Sequence, residues 1–293
     1  MVNKIQFLSF SLVLAIYIAL FWLVFVRRRL TGQLLLTTDY KRYRGLSLIY
    51  WSSPFLFLAI WGLVSSSGGL RNIPTPIEVL KSFVTLTSTG QLINEARVSV
   101  ERVAIGFILA SVIGVPVGLL AGTFVIANRL VTPVNSFLRY IPPTSFIALL
   151  IVYFGVDEAY KYAVIFFGLI FFIIQMVVDV VDDLDKRYIE IGITSGFSNW
   201  DLFTSVVVPS CWPRVWDVLR INLSAAWTFL VAAEIVGAES GLGHLIAVSQ
   251  RFLRISDLYA GILAFGIIGL VSDKSLEVVS KWLFKWYYIE LRR

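Results

Sequence analysis

The stretch EIGITSGFSNWDLFTSVVVP, residues 190–209 of this 293-residue chain, is polar and stands between apolar runs. Hydrophobic residues make up 58% of the chain and charged residues 15%, whereas soluble domains carry about a quarter charged residues. The apolar residues gather into runs of roughly 20, the length that a helix needs to cross a bilayer. We therefore expect an all-α integral membrane protein in which the polar stretch lies outside the bilayer.

Seven apolar runs predict membrane spans. Their approximate bounds are 5–26, 46–64, 98–122, 134–154, 161–181, 217–237 and 258–279. The first run is too long for the apolar core of a signal peptide and is followed by basic residues, so we expect it to be a retained span. The polar stretch then belongs to a loop at 182–216, between the fifth and sixth spans.

Basic residues predict the orientation of these spans, because they favour the cytoplasmic side. The loop after the first span holds Arg27, Arg28, Arg29, Lys41, Arg42 and Arg44, and only Lys4 precedes that span. We therefore expect the N-terminus outside, with the loop 182–216 and the C-terminal tail in the cytoplasm. This distribution explains the formal net charge of +6, which does not suggest a nucleic-acid partner.

The composition argues against metal and ATPase chemistry. Cys211 is the only cysteine and His244 the only histidine, so the sequence predicts neither an internal disulfide nor a Cys/His metal site. No Gly-x-x-x-x-Gly-Lys-Ser/Thr phosphate loop occurs. We therefore do not expect this chain to hydrolyse ATP.

Apolar residues recur at spacings of three and four around the polar stretch, which predicts one amphipathic helix. They are Ile189, Ile193, Phe197, Trp200, Phe203 and Val207. Gly192 and Gly196 would allow a bulky side chain or another backbone to come close, and Pro209 and Pro213 would end the segment. Two interpretations stay open at this point: a surface helix packed under its own bundle, or a helix that docks in a groove of a cytoplasmic partner.

The same stretch resembles the cytoplasmic loop motif of binding-protein-dependent ABC importer permeases. That motif reads Glu-Ala-Ala, three residues, Gly, nine residues, an aliphatic residue, any residue, an aliphatic residue and Pro. The matching residues are Glu190, Gly196, Val206, Val208 and Pro209. Ile191 and Gly192 stand where the two alanines are usual.

Two further stretches are similar to motifs of the nitrate/sulfonate/taurine branch of these permeases. They are NSFLRYIPPTSFIALLIVYFG (135–155) and LRINLSAAWTFLVAAEIVGAESGLGHLI (219–246). The resemblance implies a type I ABC importer permease fold with six core transmembrane helices and, in this chain, one extra N-terminal helix. Residues 1–45 would hold the extra helix and a basic cytoplasmic loop, and residues 46–293 the transmembrane domain. Phe172 and Met176 depart from the Pro and Asn expected in the fifth span.

The resemblance also implies a pathway-forming subunit that is not an enzyme. In this family two permease subunits form the pathway, and two ATPase subunits, which hold ATP and Mg, bind below; we expect this chain to bind no cofactor. The expected partners are ABC ATPase subunits, a second permease copy and a periplasmic or lipid-anchored substrate-binding protein. The expected location is the bacterial inner membrane, and the implied solute is a small anion such as nitrate, bicarbonate or a sulfonate.

On this resemblance we assign ATPase coupling to a set of residues in the loop. They are Glu190, Gly192, Gly196, Trp200, Asp201, Phe203, Val206 and Pro209. We expect the Glu190 carboxylate to favour a first helical turn or to pair with a basic group. We expect Gly196 to allow a sharp turn and Pro209 to set the exit. Trp200 and Phe203 are the candidates for an apolar knob that enters the partner's groove.

Polar residues and prolines within the spans are candidates for lining the pathway, because such groups at membrane depth face protein or water. They are Arg139, Pro142, Pro143, Thr144, Ser145, Gln175, Asn222, Trp227, Thr228 and Glu234. Glu234 would either gate the outer mouth or, as we favour, pair with an arginine at the interface. Interhelical hydrogen bonds and a packing kink at the double proline would explain the other residues nearly as well.

The alternative function is a secondary transporter or channel that is not coupled to an ATPase. It would need ion-coupling carboxylates deep in the spans, and only Glu234 and Asp179, both near span ends, are available. An intramembrane enzyme has less support, since the chain has no His-Glu-x-x-His zinc site.

Overall fold

The computed structural model describes residues 47–66 and 73–290, together with residue 15, and the regular elements in these ranges are helices. The helices are α1 Ser47–Ser66, α2 Pro76–Ser88, α3 Gln91–Thr123, α4 Val125–Leu138, α5 Ser145–Phe154, α6 Glu158–Asp182, α7 Lys186–Thr194, α8 Asn199–Leu202, α9 Val208–Gly237, α10 Leu242–Arg251, α11 Ile255–Leu283 and α12 Lys285–Glu290. A π-helical turn, Phe203–Val207, joins α8 to α9 without a break. The prediction of an all-α protein is therefore confirmed for the described residues.

Four helices of the described chain are long and apolar enough to cross a membrane, judged by length and composition. They are α3, α6, the continuous helix Asn199–Gly237 and α11. The spans predicted at 98–122, 161–181, 217–237 and 258–279 lie within them, and α1 covers nearly all of the span predicted at 46–64. The first predicted span, 5–26, and the N-terminal region 1–45 lie outside the described residues, apart from residue 15.

The span predicted at 134–154 is not one continuous helix. α4 ends at Leu138 and α5 begins at Ser145, and the segment between them contains two consecutive prolines, Pro142 and Pro143. Neither proline has a backbone N–H to donate, and each disfavours helical backbone in the residue before it. α5 has 10 residues and is therefore about 15 Å long, too short to cross a bilayer alone.

α3 and α6 pack along a stripe of glycines on α3. The glycines are Gly106, Gly114, Gly118 and Gly122. A Cβ atom on Gly106 would lie 2.6 Å from the Cβ of Ile165, and one on Gly118 would lie 2.7 Å from the Cβ of Val177. Larger side chains on the stripe would push the two helices apart, so their close backbone contact depends on glycine.

α9 completes the core of the larger of two compact units, which comprises residues 86–252 and 261–293. Ala226 and Leu230 of α9 are fully buried in one apolar cluster with Leu169 and Ile173 of α6. Their packing fixes α9 against α6 along the middle of the bundle.

α6 separates two polar regions of this unit. It has 25 residues and is about 37 Å long. The segment 183–207 follows its C-terminus, and we call this side the loop end of the bundle. A group of charged side chains surrounds its N-terminus, which we call the far end.

Among the described residues, 47–66, 73–85 and 253–260 belong to the smaller compact unit. Within it the indole ring of Trp61 stacks on Tyr259 with ring centroids 5.7 Å apart, and its N–H donates to the carbonyl of Pro74 at 3.1 Å. The hydroxyl of Ser82 donates to Asp257 at 2.5 Å.

Candidate functional site

The polar stretch forms two short helices at the loop end and not the single helix predicted. Asp185 caps the first helix, α7, by accepting the backbone N–H of Arg187 at 3.0 Å. The Arg187 guanidinium also donates to the Asp185 carboxylate at 2.5 Å, and this hydrogen bond holds the pKa of Asp185 below its usual value. α7 ends at Thr194, so the apolar residues that follow it do not continue its face.

A left-handed glycine separates the two helices. Gly196 has φ +81°, a conformation that residues with a Cβ rarely adopt, and a Cβ there would meet no atom within 4 Å. The sharp turn expected at Gly196 is therefore present. It is the physical reason why one continuous amphipathic helix cannot form across this segment.

The second helix, α8, starts with a capping box. The Asp201 backbone N–H donates to the Ser198 hydroxyl at 3.2 Å, and the Ser198 backbone N–H donates to the Asp201 carboxylate at 3.0 Å. These reciprocal bonds satisfy N–H groups that a helix start otherwise leaves unpaired. Asp201, which the sequence analysis assigned to coupling, thus stabilises the start of α8 within the loop.

Gly192 lets the two helices fold against each other. It is buried, and a Cβ at this position would overlap the side chain of Leu202. The close approach predicted for Gly192 is therefore made by a side chain of the same loop.

Trp200 and Phe203 pack against their own chain. Their rings lie 5.2 Å apart between centroids, and the Phe124 ring lies 5.5 Å from Phe203 and 6.4 Å from Trp200. The three rings form what we call the aromatic cluster. Trp200 and Phe203 also line a groove of about 580 Å³, whose other walls come from α3 and α9. Phe203 is only 9% exposed whereas Trp200 is 60% exposed, so of the two only Trp200 is accessible to a partner in this structure, and the apolar knob stays a prediction.

Further exposed apolar side chains of the loop lie on α7 and in the turn after it. Tyr188 is 53% exposed and Ile191 63% exposed, and Ile193 and Phe197 are also exposed. Exposed apolar side chains close together are typical of a surface that meets another molecule. Glu190 lies exposed in the middle of α7, and the ion pairs of the described residues do not include it.

Pro209 and Pro213 do not end the segment, contrary to the prediction. Pro209 lies in the first turn of α9 and Pro213 in the next, and the helix continues to Gly237. Pro209 follows the π-helical turn, where the backbone hydrogen-bond pattern already departs from that of an α-helix, so its missing N–H does not stop the helix. Val206, half-buried in the π-helical turn, leads directly into this helix.

Ion pairs that the sequence did not reveal hold the loop end together. The Arg214 guanidinium donates to Asp183 at 2.8 Å and so connects α9 with the end of α6. Arg220 lies 3.2 Å from Asp273 and 3.6 Å from Glu277, both on α11. These partners are 31 to 57 positions apart, which is why periodicity along one helix gives no sign of them.

At the far end a charge cluster surrounds the start of α6. It consists of Glu95, Ser99, Arg102, Glu158, Lys161 and Glu234, and sequence reasoning singled out only Glu234. Arg102 and Glu234 are 1% and 0% exposed and lie 2.7 Å apart between Nη1 and Oε1. Glu234 is therefore paired with an arginine, but the pair is enclosed by the chain and does not lie at an open interface.

The guanidinium of Arg102 is shared between two carboxylates. Its Nε and Nη2 donate to the two oxygens of Glu158, each at 2.6 Å, while Nη1 donates to Glu234 and to the carbonyl of Ser240. Lys161 donates to Glu158 at 2.8 Å. Arg102 and Lys161 thus pair with Glu158 and Glu234, which offsets the cost of removing these charges from water.

The other pathway candidates divide into buried and accessible residues. Asn222 and Trp227 are buried within this chain, as is Glu234, and their role in lining a pathway stays a prediction. The Asn222 amide donates to the Val218 carbonyl at 2.9 Å, an interaction within its own helix. The exposed candidates are Pro142, Thr144, Ser145 and Thr228, and the half-buried ones are Arg139, Pro143 and Gln175.

Known proteins are similar to this chain over most of its length. The sequence profile of the family described as binding-protein-dependent transport system inner membrane component matches residues 114–287. A probable ABC transporter permease protein of Brucella melitensis is 34% identical over 226 residues, which is 77% of this chain and 92% of the relative. The putative aliphatic sulfonates transport permease protein SsuC of Bacillus subtilis is 29% identical over 251 residues, 84% of this chain and 89% of the relative. The bicarbonate transport system permease protein CmpB of Synechococcus elongatus is 28% identical over 241 residues, 78% of this chain and 86% of the relative.

A solved structure shares the fold. A chain of the inward-facing MetNI methionine ABC transporter superposes with a TM-score of 0.55 at 19% identity, covering 62% of this chain and 91% of that chain. The profile match and the relatives agree with the loop motif at residues 190–209. The chain therefore belongs to the family of inner-membrane components of binding-protein-dependent transport systems, and it is a multi-pass ABC transporter permease and not the ATPase.

Proposed function

We propose that this permease passes a small anion from a substrate-binding protein into the cytoplasm and that its 190–209 loop couples it to a separate ATPase. The observation that carries the coupling proposal is the exposed apolar surface of α7 at the loop end. Family membership argues against the alternative of a secondary transporter without an ATPase.

The apolar surface of α7 is better suited to dock in a partner's groove than the aromatic cluster is. Tyr188 and Ile191 project from a short amphipathic helix, and Leu202 of the same loop packs against this helix at Gly192. A helix that places its apolar side chains in a groove is a common mode of recognition. Trp200 contributes to the coupling region by bracing α8 against Phe124.

The anion proposal rests on relatives and on one cation. Two of the similar permeases are named for aliphatic sulfonates and for bicarbonate, which are anions at neutral pH. Arg139 lies just before the double proline that interrupts α4 and α5, with its guanidinium 5.3 Å from the Tyr140 ring. A half-buried guanidinium beside a broken helix is suited to an anion on its way through the bundle.

We further propose the architecture of the type I importers for the complete assembly. Six core transmembrane helices would come from residues 46–293, and an extra helix with a basic cytoplasmic loop from residues 1–45. The N-terminus would be outside and the loop 182–216 in the cytoplasm. A second copy of this chain would complete the pathway, and ATP and Mg would bind to the partner ATPase subunits.

The coupling proposal is tested by purifying the full chain from its native membrane and assaying the ATP hydrolysis that co-purifies. The test variant is a double substitution, Tyr188→Ala with Ile191→Ala, and the matched control is Ile235→Ala, which removes an exposed apolar side chain at the far end. We expect the double variant to lose co-purifying ATPase by on the order of tenfold or more, as for residues central to an interface. The control should match the parent.

Two results would contradict the proposal. One is a parent chain with which no ATPase co-purifies, and the other is a double variant that retains the full amount. Trp200→Ala separates the two surfaces: a larger loss in this variant than in the double variant would place the docking surface on the aromatic cluster.

A further inference from the structure

α10 begins without a capping side chain of its own. Its N-cap residue is Gly241, which has no side chain to accept the first N–H groups of the helix. Such N–H groups are costly to bury unpaired, so another part of the molecule must accept them.

Side chains from α3 and α9 accept these groups. The N–H of Gly241 donates to Glu95, the N–H of Leu242 donates to the Ser99 hydroxyl at 2.9 Å, and the N–H of Gly243 donates to Glu234 at 2.7 Å. Three consecutive backbone donors thus end on residues that lie 9 to 146 positions away.

The acceptors are connected to one another. The Ser99 hydroxyl accepts from Leu242 and donates to the carboxylate of Glu234, at 2.8 Å to Oε1 and 3.0 Å to Oε2. Arg102 Nη1 donates to Oε1 of the same carboxylate at 2.7 Å. A carboxylate near a helix N-terminus is also favoured by the helix dipole. Glu234 is therefore held in one position by α3 and faces the start of α10.

Glycine is required at both ends of this contact. Gly241 has φ +109°, and a Cβ there would overlap the Glu234 carboxylate and lie 2.6 Å from Arg102 Nη1. A Cβ on Gly243 would lie 2.6 Å from the Cβ of Glu234. Gly241, Gly243 and Glu234 therefore form one structural unit, although a turn of the chain separates the glycines from the glutamate.

We infer that Glu95, Ser99 and Glu234, with Arg102 behind them, form a tertiary cap that positions α10 on the ends of α3 and α9. Arg102 and Ser99 are positioning residues for Glu234, and Glu234 is the positioning residue for α10. The far end of α9 and the start of α10 then behave as one body, because the turn between them is held by α3. The cap is defined within this chain alone and does not depend on the proposed coupling or solute.

Hydrogen exchange of the full chain in lipid nanodiscs, read by mass spectrometry, tests the cap. Ser99→Ala removes the acceptor for Leu242 but leaves the Arg102–Glu234 pair intact, and Glu234→Gln replaces one acceptor oxygen by a donor. The matched control is Glu239→Gln, which removes an exposed carboxylate from the same turn. Ser99→Thr keeps the hydroxyl and serves as the conservative rescue.

We expect the amides of residues 241–243 to exchange on the order of tenfold faster in Ser99→Ala and in Glu234→Gln, as for loss of a helix cap. The control and Ser99→Thr should stay close to the parent, and a peptide from the middle of α6 should not change in any variant. Unchanged exchange at 241–243 in both test variants would overturn the inference, and so would an equal acceleration along α6. If Glu234→Gln does not accumulate, Ser99→Ala decides the result by itself.

Discussion

At the residue scale, Arg102 and Glu234 are the most consequential pair in the described chain. Both side chains are enclosed, so either one left alone would be a buried charge without a counter-charge. Removing one partner of such a pair typically costs about 3–5 kcal/mol. Glu158, the second partner of Arg102, is half-exposed at 47% of its side chain, so water replaces part of what its loss removes.

The first prediction follows from this difference in burial. We expect Glu234→Ala to lower the midpoint of thermal unfolding, followed by tryptophan fluorescence, far more than Glu158→Gln does. The physical reason is that Glu158 is half-exposed, so water can reach the site of its lost charge beside Arg102 and Lys161, whereas Glu234 is fully enclosed. Equal shifts for the two variants would contradict this account of the cluster.

Gly196 carries the second prediction at this scale. A left-handed backbone costs a residue with a Cβ roughly 1–2 kcal/mol, and no steric contact adds to that cost here. We expect Gly196→Ala to increase proteolytic cleavage between α7 and α8, and Gly196→Asn, which tolerates this conformation, to be milder. A Gly196→Ala chain that resists cleavage as well as the parent would show that the turn does not depend on glycine.

At the scale of helices, the glycine stripe on α3 determines how closely α6 can pack. The third prediction is that Gly118→Ala lowers the free energy of unfolding by about 1–3 kcal/mol, since overpacking a tight contact costs that much. A Cβ there would lie 2.7 Å from Val177 and 2.9 Å from the Ile174 carbonyl, and a backbone atom cannot easily move. The control is Gly266→Ala on α11, where a Cβ meets nothing within 4 Å. An equal loss of stability in both variants would show that the packing of α3 against α6 does not depend on glycine at this stripe.

The helices themselves were largely predictable, because an apolar run of about 20 residues has few alternatives to a spanning helix. The interruptions were predictable only in part. Pro142 and Pro143 indicated a break, but periodicity across 189–207 favoured one helix because it does not register the positive φ of Gly196. The partner of Glu234 could not be predicted, because Arg102 lies 132 positions away in the sequence and residue spacing gives no information about such contacts.

At the scale of the whole molecule, α6 and α9 connect two ends with different roles. The loop end exposes apolar side chains on α7, and the far end holds the buried Arg102–Glu234 ion pair beside the start of α10. The long helices α6 and α9 join these ends directly through one packed apolar cluster. The proposed orientation places the loop end in the cytoplasm and the far end outside.

The fourth prediction tests that orientation with single cysteines. Cys211 is buried and is the only cysteine of the chain, so a Cys211→Ser background has no native thiol that could react with the label. We expect Ser195→Cys, exposed in the turn after α7, to react with a membrane-impermeant maleimide only after right-side-out vesicles are permeabilised. Glu239→Cys, exposed in the turn before α10, should react in intact vesicles. The reverse pattern would place the loop outside, and labelling of both cysteines from one side would show that α9 does not cross the membrane between them.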